Sequence, residues 1–247
     1  DKSLINPARL YLFDVTLENN KFEVKAQDVL FLTDKDGKNF AKHTVDFEGI
    51  TKIGDKIYLS SEGSLNRDKP ILPEIKEFNL LGKETFTLPI PEKFLPQKDA
   101  FDKKMGARDN LIFEGLTSTP DGKTIYVGTE EALLQDDQTT TPHHNSRVRI
   151  IQYKELKPVR EILYSLEKVP SVKIADLIVG ETGLSDMLAI DENSAYVLER
   201  AHLPLAKQFH IKLFKITNID KAQDVSSLDS VKNKEIKEVE KELIFDF

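Results

Sequence analysis

Three segments of the chain repeat one another. The first reads Phe47-Glu48-Gly49-Ile50-Thr51, a Gly54-Asp55 turn, then Ile57-Tyr58-Leu59-Ser60-Ser61-Glu62. The second reads Phe113-Glu114-Gly115-Leu116-Thr117, a Pro120-Asp121-Gly122 turn, then Ile125-Tyr126-Val127-Gly128-Thr129-Glu130. A looser third runs Ser185-Asp186-Met187-Leu188-Ala189-Ile190, Asp191-Glu192-Asn193, then Ala195-Tyr196-Val197-Leu198-Glu199. Each is a pair of β-prone runs about a Gly, Asp or Asn turn, which predicts a β-hairpin. A repeat of this kind constrains the fold before any single residue does.

The sequence between the hairpins supplies further strands. Glu74–Phe78 and Thr85–Leu88 follow the first hairpin, with a turn at Leu81-Gly82. Arg147–Tyr153 and Ile162–Tyr164 follow the second, with a turn near Pro158. His210–Ile216 follows the third. Four short strands per repeat is the make-up of a propeller blade. The expected fold is therefore all-β, a β-propeller of four-stranded blades in one domain over 1–247. The blades fall at roughly 1–40 (partial), 41–109, 110–183 and 184–247.

The repeats are 66 and 72 residues apart, counted from Glu48 to Glu114 and from Glu114 to Asp186. A blade more often takes about 40–50, so long loops are expected. An earlier hairpin about Asn19-Asn20 reads as the outer half of a preceding blade. Leu243, Phe245 and Phe247 alternate as a closing outer strand would, although Val231, Ile236, Val239 and Leu243 have near-helical spacing. Three and a half blades do not close a ring, so sequence is expected to be missing at one or both ends. Helix-length periodic segments are scarce, which disfavours a doubly wound α/β fold.

The acids of the hairpins lie at one end. Glu48 and Glu62 are equidistant from the first turn, Glu114 and Glu130 from the second, and Asp186 and Glu199 from the third. Residues equidistant from a turn face each other in an antiparallel pair. If these are inner strands, six carboxylates converge on one channel mouth. Like charges placed so repel and raise one another's pKa, which calls for an offset. Ca²⁺ suits the task, since it takes six to eight oxygens in loose geometry. Arg67, Arg108, Arg147 and Arg200 also lie near these strand ends. Against this stands the plain alternative that the acids cap strands and bond loop amides. Gly49 and Gly115, directly after Glu, are expected to permit a turn or a close approach of backbones.

Composition closes off several functions. The chain has no Cys, so disulfides, thiol catalysis and Cys-based zinc sites are out. Net charge is −7 with no basic stripe, which argues against nucleic acid as a partner. No apolar run is long enough to span a membrane. The chain starts at Asp1 without an initiator Met or signal segment, so any targeting signal lies outside it. There is no Gly-x-Ser-x-Gly elbow, P-loop or dinucleotide fingerprint, and Ser60, Ser61 and Ser185 lack an evident His partner. His143-His144 lies in a long polar loop, where adjacent histidines seldom aim at one zinc; Asp136 and Asp137 read there as rim acids. Asp34-Lys35-Asp36-Gly37-Lys38 opens like a calcium loop, but position 45 is Val rather than Glu, so a plain turn is expected.

With Phe113-Glu114-Gly115-Leu116-Thr117, Pro120-Asp121-Gly122-Lys123-Thr124-Ile125-Tyr126, Ser146–Tyr153 and Leu198-Glu199-Arg200, the chain resembles the bacterial phytase-like family, labelled an esterase-like activity of phytase. The resemblance covers roughly 40–220 and implies a propeller-like fold and export, to the periplasm or outside the cell. The leading expectation is a hydrolase of phosphate or other esters acting on a small or phosphorylated ligand. On this reading Glu48, Glu62, Glu114 and Glu130 are catalytic. Those four with Asp186 and Glu199 hold the cation, and Arg67, Arg108 and Arg200 bind the anionic substrate. The rival is a non-catalytic propeller that binds a small ligand or a protein partner and uses its acids for structure.

Overall fold

In the computed structural model, residues 5–65, 70–96, 104–170, 180–204 and 207–247 are described. They form fourteen strands and two single 3₁₀ turns. β1 (Arg9–Glu18) and β2 (Lys21–Phe31) make a two-stranded sheet. β3 (Phe47–Ile53), β4 (Lys56–Ser61), β5 (Glu74–Asn79) and β6 (Glu84–Thr87) form the first four-stranded sheet, paired in chain order. β7 (Phe113–Ser118), β8 (Thr124–Thr129), β9 (Arg147–Lys154) and β10 (Lys157–Ser165) form the second. β11 (Glu181–Ala189), β12 (Ala195–Leu203), β13 (Gln208–Thr217) and β14 (Glu240–Asp246) form the third. Every pair within these sheets is antiparallel. Each is the up-and-down meander of a propeller blade.

Local chemistry explains the turns. Asn19 and Asn20 both take positive φ (51° and 60°), the geometry of the tight primed hairpin turn. Gly54 and Gly122 supply positive φ to the β3–β4 and β7–β8 turns. Asp121 accepts from Thr119 Oγ1 (2.7 Å) and the Lys123 amide (3.2 Å), which fixes the second turn. Asp34 Oδ1 accepts from the Asp36 and Lys38 amides, so that segment is the expected plain turn.

The blades pack face to face. Tyr58, Ile75 and Leu88 of the first meet Phe113, Leu116, Ile125, Val127, Ile151 and Tyr153 of the second. The opposite face of the second, with Tyr126, Val148, Ile150, Ile162 and Tyr164, meets Leu184, Met187, Ala189, Ala195, Val197 and Ile216 of the third. A strand covered on both faces is apolar throughout, and β8 is buried along its whole length. The first strand of each blade is the inner one, since β3 packs on β7 and β7 on β11.

One expectation needs correction, and another, the closing outer strand, holds. The β9–β10 turn is Glu155-Leu156, both at positive φ, and Pro158 lies inside β10 beside a bulge. The alternating C-terminal segment is β14, the outer strand of the third blade, whereas Val231 and Ile236 precede it outside any helix and pack near Leu163. That approach is anchored by Arg149, which is fully buried. Its guanidinium grips Asp136 at 2.6 and 2.9 Å and Glu161 at 2.5 Å, and donates to the carbonyls of Val225 and Leu228.

Candidate functional site

Glu48 and Glu114 lie near the start of the inner strands β3 and β7. Glu62 and Glu130 follow the last residues of β4 and β8, at the same end of their blades. The register differs from simple symmetry about the turns. Phe47 pairs with Ser61 and Ile50 with Leu59, so Glu48-Gly49 forms a bulge; Phe113 with Thr129 and Leu116 with Val127 put Glu114-Gly115 in the same device. A bulge bends its strand and re-aims a side chain. Across the pair, the Glu62 amide donates to the Asp46 carbonyl (2.9 Å) and the Glu130 amide to that of Ile112 (2.6 Å). Glu62 therefore faces Asp46 rather than Glu48, and Glu130 faces Ile112 rather than Glu114.

The glycines are demanded by proximity, not by positive φ. A Cβ on Gly49 would stand 2.4 Å from the Glu114 carbonyl oxygen and 2.6 Å from Leu116 Cβ. One on Gly115 would meet Leu184 Cδ2 at 2.6 Å and Met187 Cγ at 2.8 Å. Gly183 of β11 leaves room for Glu130, whose Cγ would be 2.5 Å from an added Cβ. Close approach of the inner strands is what brings acids of neighbouring blades together.

Among the described residues two carboxylate triads result, Asp46–Glu48–Glu62 and Glu62–Glu114–Glu130. Each offers oxygens that all lie within 4.8 Å of one another. Glu62 (2% exposed) and Glu130 (5%) are buried, Glu114 is half-buried and Glu48 is exposed. Burial is the main force on their protons. It raises the Glu62 carboxyl, helped by the charges of Glu130, Glu114 and Glu48. It raises Glu130 as well, with Arg200 opposing, and pushes Glu114 to about 8 with help from Glu130 and Glu48. The neighbouring Glu130 carboxyl adds to the rise of Glu62, while Glu62 holds Glu130 back. Glu62 Oε1 is nevertheless buried with no hydrogen-bond donor among the described residues. Four other carboxylates grouped with Glu62 match a hard cation, which prefers oxygen ligands in flexible geometry.

The third hairpin does not join the cluster. Glu199 is buried elsewhere, accepting from Tyr164 Oη (2.5 Å), Lys241 Nζ (2.6 Å) and the Glu167 amide (3.0 Å). Asp186 is exposed, accepts from the Met187 amide (2.8 Å) and belongs to neither triad. What the third blade contributes is Arg200, whose Nη2 reaches Glu130 Oε1 at 3.4 Å while nearly half of its side chain stays in solvent. Arg108 is occupied by the carbonyls of Ala132 (2.8 Å) and Asp137 (2.5 Å). Arg147 likewise holds those of Val231 and Lys234. Arg67 lies outside the described residues. Asp136, expected at a rim, is wholly buried on Arg149, and His144 pairs with Asp137 at 2.9 Å. Ser60 and Ser61 accept from the Gly49 and Asp46 amides and serve the backbone.

Asp46 was missed by the repeat. Its place in the second hairpin is taken by Ile112, so comparison of the hairpins does not reveal it. The one sequence signal is its spacing of two from Glu48, which puts both on one face of an extended strand.

No helix among the described residues is long and apolar enough to cross a membrane. The chain is 26% identical over 184 residues to an uncharacterized secreted protein of Arthroderma benhamiae; the match covers 55% of this chain and 36% of that protein, so the chain spans well under two thirds of this relative. No solved structure matches it. The family described as "Phytase-like: Esterase-like activity of phytase" matches residues 1–247, and the chain belongs to that family.

Proposed function

We propose that this chain is an extracytoplasmic hydrolase of phosphate or other esters. Its carboxylate cluster would hold a divalent cation, with Ca²⁺ the best fit. The observation that carries the reading is Glu62, buried between two sets of carboxylates with an oxygen that finds no donor among the described residues. A cation there would supply Lewis-acid polarisation of the ester and acidify a bound water. Glu48 and Glu114, aimed by their bulges, are the groups that substrate can reach. Glu114, with its carboxyl held near neutrality, suits proton transfer at working pH. Glu62 and Glu130 supply the buried ligand oxygens. Arg200 keeps part of its guanidinium in solvent, where it meets an anionic group of the substrate. Export, to the periplasm or the medium, is supported by the secreted relative.

The test is turnover of a panel of phosphate and carboxyl esters with Ca²⁺ and with chelator, on the parent chain and on Glu114→Gln. The reading expects Ca²⁺-dependent hydrolysis and a fall of about 10²–10⁴-fold in kcat/KM for the variant. Undiminished activity in Glu114→Gln removes the proposed site. A second reading, a propeller that binds a ligand without turning it over, is favoured by the burial of Glu62 and Glu130, which raises both carboxyls toward the neutral form without an ion. Inertness across the whole panel would select it.

A further inference from the structure

We propose that a recess between the second and third blades binds one small oxyanion, a phosphate or carboxylate group. Its donors are the Lys168 and Lys212 ammonium groups, the His210 ring and the Thr182 hydroxyl. The recess is separate from the carboxylate cluster, and the inference does not rest on the cation reading.

The residue pattern of the third blade explains why a recess forms there. On the face that meets the second blade, Ala195 lies beside Ile216 and Val197 beside Phe214, all buried. Toward the C-terminal end of β12 the same face continues as Leu184, Glu199 and Lys212, then as Thr182, Ala201 and His210. Ala201 is small and both its cross-strand neighbours are polar, so the apolar filling stops. The second blade covers these rungs with the segment that follows β10. That segment is held by the Leu166 amide on the Ser146 carbonyl (2.8 Å), the Glu167 amide on Glu199 Oε2 (3.0 Å) and the Val169 amide on the Thr141 carbonyl (3.2 Å). The recess left between them measures about 220 Å³ with its mouth. Pockets for drug-sized ligands take about 300–1,000 Å³, so this one suits a single anionic group.

Two observations point to a ligand. Thr182 lines the recess and is 2% exposed, and its Oγ1 has no hydrogen-bond partner among the described residues. Its backbone is satisfied, since its N–H donates to Thr140 Oγ1 (2.8 Å) and its carbonyl accepts from the same hydroxyl (3.1 Å). Buried hydroxyls are ordinarily paired, so the side chain alone is left wanting a partner. The second observation is charge. Lys241 takes both acids of the wall, Glu199 at 2.6 Å and Glu167 at 3.2 Å. Lys168 and Lys212, also in the wall, have no ion pair among the described residues. Three lysines against two glutamates leave one formal positive charge, which an oxyanion neutralises while accepting from the ammonium groups and the hydroxyl.

Isothermal titration in chelator tests the site, with sodium phosphate, sodium acetate and sodium chloride as probes. Saturable binding of one phosphate or one acetate per chain is expected, and the tighter of the two identifies the group that the recess takes. Lys168→Gln and Lys212→Gln, each confirmed as folded by far-ultraviolet circular dichroism, should weaken it about tenfold, as loss of a hydrogen bond to a charged group does. Thr182→Val keeps the shape and removes the hydroxyl. It should weaken binding severalfold without lowering the urea midpoint in anion-free buffer, because an unpaired buried hydroxyl adds no stability. Arg200→Gln, on the opposite face of β12, should leave the affinity unchanged. Absence of saturable binding by either oxyanion at millimolar concentration overturns the site. So does an equal response to chloride, or full affinity in both lysine variants. A Thr182→Val chain that is destabilised yet binds normally removes the hydroxyl from it.

Discussion

Glu62 has two other carboxyl groups of its own triad on either side and is 2% exposed, so in the cation-free chain it remains folded chiefly by keeping its proton. Retaining a proton at a pH where the unfolded chain would release it costs about 1.4 kcal/mol per unit of pKa shift. Glu62→Gln removes that cost while preserving shape. In chelator at pH 8 the variant should therefore be more stable than the parent, by on the order of 1 kcal/mol in urea unfolding. In saturating Ca²⁺ the order should reverse, because the amide keeps one neutral oxygen where the carboxylate offered two charged ones. A variant less stable than the parent under both conditions would mean that Glu62 acts as a packed hydrogen-bond partner and nothing more. At this scale the sequence disclosed four members of the cluster through the repeat and misplaced two others. Alternation along β12 sends Glu199 and Arg200 to opposite faces. One faces Tyr164 and Lys241, the other Glu130, and the repeat alone does not say which acid faces the cluster.

The hairpin is the element that was most legible. Its turn residues have chemical reasons to be there, and all three blades pair in the chain order that the runs predict. The bulges were not legible, because an extra residue in one strand is defined only against its partner. Glu155-Leu156 likewise turns at positive φ without the Gly or Asn that normally announces it. Gly49 and Gly115 sit at the meeting of these two facts. They follow the bulged Glu, and they remove the Cβ that would hold neighbouring inner strands apart. Gly49→Ala puts a carbon against the Glu114 carbonyl, a backbone atom that cannot rotate away. The expected cost is about 1–3 kcal/mol, the usual range for overpacking. Because the displaced atom belongs to Glu114, Ca²⁺ affinity should fall together with stability. Unchanged affinity in a destabilised Gly49→Ala would show that the triads tolerate movement between the first two blades.

For the whole molecule, blade-on-blade packing and the acid cluster oppose each other. The inner strands approach closely enough to bury apolar faces between blades, and the same approach gathers carboxylates where ionisation is disfavoured. The consequence for stability has a definite sign. Glu114 titrates at about 8 in the folded chain, and Glu62 and Glu130 are raised too, while unfolded glutamates ionise near the ordinary value of 4.5. Below about pH 4.5 both states hold these protons and the cluster costs nothing. As pH rises past that point only the unfolded state releases them, so the folded state binds more protons and stability declines with pH. The decline continues through the folded value of about 8 for Glu114. In chelator, the urea midpoint should therefore drop from pH 5 to pH 8. On the proposed reading, Ca²⁺ binds the folded state alone and should add about 2.7 kcal/mol at a hundredfold excess over Kd. Because the ion takes the place of the protons, the addition should be larger at pH 8 than at pH 5, flattening the profile. Equilibrium unfolding at both pH values, with and without Ca²⁺, measures all four quantities. A chelator midpoint that rises toward pH 8 would mean that the five acids are ionised and solvated in the folded chain, and neither triad would then need an ion to remain in place.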